Sequence, residues 1–422
     1  MITCNFTNRL FNCSPRRQAA VGILLQLWAT LHHWANLRLW SALRLCVIFL
    51  LTSPTIAADW PVVRGDSAGT GVASTQLADQ LEVLWELKAD DKNAAFEATA
   101  VISQGVVYVG DSEGVMRAIK LSDGSPVWEQ TFAENGFTSA AAVRGERLFT
   151  VDFDGVVRCH RTRSGEVVWQ FNAESESSNG PNLFKDALLV TTEAGLLISL
   201  NAKTGKERWR FQIDGPLRCS ASVGKGHALL AGCDSRLTVV DLNTGKEVGA
   251  VDIGGQTGST AAVVGNQVFF GAETGEFLAV STHNLTAPTI GWRYHDPRRG
   301  QGIRTAAAAT KTAVVYANQG KVIYAINPTN GEPLWTQPTK SRIESSPVIV
   351  TSPQGGNRVV AATTRGRLLL LDLADGETIW DFDAGGSFVA SPAVVDGRIV
   401  IGNTEGVLYC FGKKGLPTNE RE

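Results

Sequence analysis

The residues of this 422-residue chain best suited to chemistry are charges and hydroxyls that recur at one position of a long repeat. Glu97, Thr138, Ser177, Arg218, Thr257, Arg304, Glu344 and Val389 are each expected as the first residue of an innermost strand, ringing one mouth of the channel. Two carboxylates and two guanidiniums in one ring suit noncovalent recognition of a charged small molecule or of a partner's loop. The alternative is that mixed-sign charges near a rim pair with one another and with trapped water. His295-Asp296-Pro297-Arg298-Arg299-Gly300-Gln301-Gly302 is inserted before the sixth unit and is the most basic exposed loop after the leader. Binding residues concentrate on loops held by a rigid scaffold, so Arg298 and Arg299 are contact candidates. No catalytic group or metal ligand is expected. His160, His227, His283 and His295 lack paired metal-ligand spacing. The Gly-rich turns contain neither a Gly-x-Ser-x-Gly elbow nor a phosphate-binding loop.

The elements that position these residues repeat. A small or aliphatic residue is followed six positions later by Gly and ten positions later by Trp, as in Ala118-Gly124-Trp128 and Ser199-Gly205-Trp209. The positions Trp85, Trp128, Trp169, Trp209, Gly249, Trp292, Trp335 and Trp380 are 40 to 45 residues apart. That period, carried on short strands, predicts an all-β, eight-bladed β-propeller of four-stranded antiparallel blades. In the first unit the strands fall near 97–103, 106–110, 115–121 and 126–132, separated by turns rich in Gly and Asp. The last unit lacks its outer strand, and Leu81 to Lys88 has the pattern to supply it by pairing with Val407 to Phe411. Each Trp is expected to cover the Gly turn of the neighbouring blade, a structural docking role. The unit with Gly249 should be a weak joint.

The spacing Ala-x-x-x-x-(Thr/Asn/Asp)-Gly-x-x-x-Trp resembles the tryptophan-docking repeat of the pyrroloquinoline quinone (PQQ)-type propellers. Lys203-Thr204-Gly205 to Trp209 and Thr329-Asn330-Gly331 to Trp335 carry it. Asp59-Trp60-Pro61-Val62-Val63-Arg64-Gly65 also resembles the Trp-Pro-x-x-Arg-Gly opening of exported repeat proteins of this class. The resemblance covers nearly all of 59–411 and implies fold rather than function, since the superfamily holds both quinone dehydrogenases and propellers that bind no quinone. In the dehydrogenases it implies an adjacent Cys-Cys pair, long site-building insertions and Ca²⁺ held by oxygen ligands. This chain has no adjacent cysteines and short turns, and no Cys-x-x-Cys-His haem motif. No cofactor, neither PQQ nor Ca²⁺, is therefore expected. Within the resembled group the nearest functional precedent is the propeller subunit of the outer-membrane β-barrel assembly machinery. It implies a non-catalytic scaffold that binds envelope protein partners. The alternative is a quinone- or small-molecule-binding propeller, including a PQQ-dependent dehydrogenase.

Residues 1–58 contain no Asp or Glu and read as an export leader, with an apolar stretch at Leu43 to Leu51 and a small-residue cleavage region at Thr55 to Ala58. No Cys follows that region to carry a lipid anchor. The expected layout is a leader at 1–58, an N-terminal extension at 59–80, the propeller at 81–411 and a polar tail at 412–422. An exported protein of the periplasm, extracellular space or cell envelope, monomeric and without a transmembrane span once processed, follows. The whole chain balances 39 basic against 41 acidic residues, and loss of the all-basic leader leaves an acidic protein. That argues against nucleic acid as a partner, because phosphate contacts need a net cationic face. Cys159 and Cys410 sit at small buried repeat positions, whereas Cys219 and Cys233 flank one hairpin and are candidates for a disulfide.

Overall fold

A computed structural model describes residues 59–132 and 136–415. The leader and residues 416–422 lie outside the described residues. All regular structure described is β, arranged as eight blades of four antiparallel strands, and blade 7 gains a fifth, parallel strand. Among the described residues no helix is long and apolar enough to cross a membrane. Blade 1 runs outward through Val101–Ser103, Val106–Gly110, Val115–Lys120 and Pro126–Thr131. The second and third strands of each blade are almost wholly buried, and the outer strand alternates or is exposed. Blade 8 is completed by Glu82–Lys88, which pairs antiparallel with Val407–Gly412. Joining the two ends of the chain in one sheet leaves no open seam in the ring.

The repeat spacing has a direct meaning in the register. In every blade the small or aliphatic residue lies opposite the aromatic position on the outer strand, as Ala118 does Trp128, Ser199 does Trp209 and Cys410 does Trp85. The ladder is bulged at that point in all eight blades. The bulge turns the indole toward the next blade. There it lies on the turn glycine between the third and outer strands: Trp128 on Gly165, Trp169 on Gly205 and Trp209 on Gly245. A Cβ on these three glycines would approach indole carbons to 2.5–2.6 Å. Their positive φ, 69–73°, also favours glycine. Trp85, Trp292 and Trp335 make the same contact with Gly124, Gly331 and Gly376. Indole N–H groups donate to turn carbonyls, Trp85 to Leu121 at 2.9 Å and Trp335 to Leu373 at 2.8 Å. Trp380, on the outer strand of blade 7, packs edge-on against Phe411 of the closing blade instead.

The joint between blades 4 and 5 differs from the expectation of a weak contact. Blade 5 has the stretched repeat, and the extra residues bring its own main chain over Gly249. A Cβ there would lie 2.5 Å from the Leu285 carbonyl oxygen and 2.7 Å from the Thr286 carbonyl carbon. The lost indole and the longer turn are two halves of one substitution: backbone fills the volume that a Trp fills elsewhere.

The segment at 59–75 is no loose extension. It winds past the inner strands and meets the blades in order. Trp60 bridges Ile102 of blade 1, and the Pro61 carbonyl accepts from Val143 N–H of blade 2. The Ser67 carbonyl accepts from Asn182 of blade 3 and Val223 of blade 4. The carbonyls of Ala68, Thr70 and Gly71 take the N–H groups of Val263, Ala309 and Ile349 in blades 5, 6 and 7, and Thr75 Oγ1 takes Gly397 N–H in blade 8. Val72–Ser74 is the parallel fifth strand on blade 7. Arg64 is 1% exposed and donates to the carbonyls of Ala307 at 3.2 Å and Pro347 at 2.6 Å. Burial lowers its pKa to about 10, with Asp66 opposing the shift, so it remains a cation at neutral pH.

Restoring the repeat's Trp by Gly249→Trp is expected to destabilise the propeller by about 1–3 kcal/mol through overpacking. A lower midpoint in urea unfolding would show it; a raised midpoint would mean that the joint has room.

Candidate functional site

The connections that lead into each innermost strand share one face with the turns between second and third strands. One hydrogen bond defines this face in all eight blades. A turn N–H donates to a lead-in carbonyl, as Ser112 to Ala95, Glu193 to Glu176 and Thr364 to Arg342. The next lead-in residue is buried: Phe96, Phe137, Ser177, Leu217, Thr257, Ile303, Ile343 and Phe388. The residue after that forms the mouth of the ring.

Glu97, Thr138, Arg218, Arg304, Glu344 and Val389 therefore occupy equivalent mouth positions, but Ser177 and Thr257 do not. Ser177 is 1% and Thr257 0% exposed, and their hydroxyls donate inward to the carbonyls of Thr191 at 2.9 Å and Gly271 at 2.6 Å. They replace the large apolar anchor that other blades carry. The mouth residues of blades 3 and 5 are Ser178 and Gly258.

The two arginines of the ring are held by carboxylates of the preceding blade's turn. Arg218 pairs with Glu193 and Arg304 with Glu273, each at 2.9 Å. Ser178 also donates to Glu193 at 2.8 Å. Hydrogen bonding to Glu193 raises the Arg218 pKa. The pairs are exposed, so screening keeps their contribution to stability small. Glu97 and Glu344 make no such pair. Thr138 Oγ1 is buried without a partner. Glu193 and Glu273 escaped the sequence reading although they lie two repeats apart at one turn position.

Deeper in the channel, hydroxyls of one blade cap inner-strand amides of the blade before it. Ser220 N–H donates to Thr260 Oγ1 at 3.1 Å, Ala306 N–H to Ser346 Oγ at 2.9 Å, and Ser391 N–H to Thr99 Oγ1 at 3.0 Å. These small polar residues close the wall between blades and leave little for a ligand to recognise.

The Arg298-Arg299 loop lies on the mouth face. Asp296 Oδ1 accepts from the N–H groups of Arg298 at 2.8 Å and Arg299 at 3.1 Å, and Tyr324 donates to Oδ2 at 2.8 Å. Partial burial opposes ionisation of Asp296, but these hydrogen bonds outweigh it and hold its pKa below the ordinary value. Asn318 donates to the Arg299 carbonyl at 2.6 Å. The loop backbone is thus held in place while both guanidinium groups are exposed. Such an arrangement recognises anions or carboxylates.

Among the described residues no cluster of three or more His, Cys, Asp or Glu could hold a metal ion. The arginines at the mouth are already engaged by Glu193 and Glu273. Cys219 and Cys233 are free thiols: the first donates to Ala231 within its own sheet, and the second to Thr257 of the next lead-in.

The family described as "Outer membrane protein assembly factor BamB" matches residues 78–158 and 153–415. The chain belongs to this family. The "Outer membrane protein assembly factor BamB" of Yersinia pestis is 22% identical over 334 residues, covering 72% of this chain and 81% of that protein. Among solved structures, BamB from Moraxella catarrhalis is 16% identical with a TM-score of 0.66, covering 80% of this chain and 99% of that one. A quinohemoprotein alcohol dehydrogenase from Comamonas testosteroni has a TM-score of 0.68 at 15% identity, covering 88% and 83%. At these identities the two structures share the fold with this BamB-family chain, and the dehydrogenase likeness carries no chemistry.

His160 illustrates how the fold uses a residue type that elsewhere catalyses or binds metal. It is fully buried, its Nδ1 donates to the Gly165 carbonyl at 3.0 Å, and its Nε2 accepts from Thr150 at 3.0 Å. It thereby braces the glycine on which Trp128 rests. Burial lowers its pKa to about 4, against which the Gly165 bond works. The unfolded chain takes up this proton near pH 6.5 and the folded one only near pH 4, so stability is complete above pH 6.5 and falls toward pH 4. The loss reaches about 3 kcal/mol. His160→Gln should flatten the stability curve across that window in urea titrations at stepped pH. An unchanged slope would assign the acid sensitivity to other groups.

Proposed function

We propose that this chain is an exported, non-catalytic propeller of the cell envelope that works as a protein-interaction scaffold in outer-membrane protein assembly. The family match, which runs through nearly every blade, carries the reading. Its relatives are outer membrane protein assembly factors, and their role supplies the process. The mouth face supports it: Arg298 and Arg299 stand exposed on a braced loop, and the nearby charges are fixed by neighbouring turns. A braced loop presents its charges without a large ordering cost, which favours recognition by a protein surface.

Crosslinking in intact envelopes followed by affinity capture should recover a component of outer-membrane assembly. Replacing Arg298, Arg299 and Arg304 together by Ala should lower that recovery roughly tenfold, the loss of about 1.4 kcal/mol. Unchanged recovery would move the interface off this face. The competing quinone reading is tested on the same protein. Titration with PQQ and Ca²⁺ should give no saturable spectral change and no alcohol-dependent dye reduction, and turnover would overturn the scaffold reading.

A further inference from the structure

The eightfold repeat provides its own internal comparison, and blade 7 stands out in it. At the turn position of Arg365, four blades carry an acid (Glu113, Asp154, Asp234 and Glu405) and the other three an uncharged residue. At the lead-in position of Arg342 no other blade carries a cation, and Glu176 of blade 3 carries the opposite charge. Turn geometry is the same in all eight blades, so nothing in the fold calls for a basic residue at either place. The reversal of charge has to be explained by something outside the blade.

A cleft of about 420 Å³ opens beside these residues, between the end of the outer strand of blade 6 and the third and outer strands of blade 7. Lys340, Arg365 and Arg367 line it against a single acid, Asp383. Arg367 is already paired with Asp381. Lys340 and Arg365 are exposed and have no ionic partner. Leu369 and Pro338 supply apolar surface, and Thr339, Ser341, Thr363 and Thr378 supply hydroxyls. Its volume falls in the range of real ligand sites. Pro338 ends the strand of blade 6 at the cleft and has no N–H, so strand addition there would lack a donor. Recognition must then run through side chains.

We propose that this cleft binds an extended acidic segment of a protein partner, with carboxylates on Lys340 and Arg365 and an apolar side chain against Leu369. The inference rests on the partner-binding reading above and names the chemistry of the partner. A peptide fits better than an isolated phosphate, because the two cations flank the apolar surface of Leu369 and Pro338.

The test uses the folded protein and a fluorescein-labelled octapeptide alternating Glu and Leu, read by anisotropy. Saturable binding that weakens as NaCl rises is expected. Lys340→Glu with Arg365→Glu should reduce affinity at least tenfold, whereas Glu113→Arg, at the matching turn of blade 1, should leave it within twofold. Thermal melts of both variants establish that they fold. A Lys/Leu octapeptide should not bind. Equal affinity in the charge-reversed variant would overturn the proposal. So would competition by inorganic phosphate at concentrations below the peptide's, or capture by phosphatidylglycerol vesicles that needs Lys340 and Arg365 while the peptide fails to bind. Failure here with a partner still crosslinked through Arg298 and Arg299 sinks only the cleft. Peptide binding with no partner recovered from the envelope sinks the scaffold reading instead.

Discussion

A ring of blades brings eight inner edge strands together around one channel, and each edge presents amide N–H groups with no neighbour to receive them. Water in a narrow channel is a poor substitute for a strand, and unpaired buried donors are costly. The segment at 59–75 answers this by main-chain contact: its carbonyls take the N–H groups of Val143, Val223, Val263, Ala309 and Ile349 at equivalent positions of five blades. Arg64 does the complementary work on the acceptors of Ala307 and Pro347. Along the same channel, the hydroxyls of Thr260, Ser346 and Thr99 cap the amides of Ser220, Ala306 and Ser391. With the inner edges satisfied from within, the mouth residues are free to vary in charge.

At the perimeter the same problem of joining blades is solved by shape. An indole lies flat on a glycine of the next blade because the glycine has no Cβ and the bulged strand aims the ring toward that blade. The contact between Gly249 and the Leu285–Thr286 backbone shows that volume matters at this joint more than aromatic character. A girdle of this kind keeps the turns of adjacent blades in fixed relation. Charges such as Arg218 and Glu193, which belong to different blades, then meet at one distance without either loop having to fold onto the other.

Much of this architecture was legible in the residues. Glycine, Asp and the alternating aliphatics mark turns and strands by local physics, and the missing outer strand of the last unit pointed to Leu81 to Lys88 as its replacement, which forms as Glu82–Lys88. The mouth was read one residue out of phase in two blades. Phe96 or Ile343 announces the buried anchor by its size, but Ser177 and Thr257 are small enough to pass for surface hydroxyls. Spacing alone does not fix phase to a single residue. The path of 59–75 was not legible at all, since main-chain carbonyls meeting main-chain amides leave no side-chain signature. Arg64 and Gly65 were visible as a motif, but nothing in the motif says that the guanidinium ends among carbonyls of blades 6 and 7.

The order in which 59–75 meets the blades has an evolutionary consequence. Trp60 touches the first blade and Thr75 the eighth, with the others taken in sequence between them. A segment of fixed length that must reach each blade once acts as a gauge of copy number. Duplicating or deleting one repeat would change the circumference and leave its contacts out of step, even if every blade folded well. Here the count of eight is written twice, once in the repeats and once in the short stretch that precedes them.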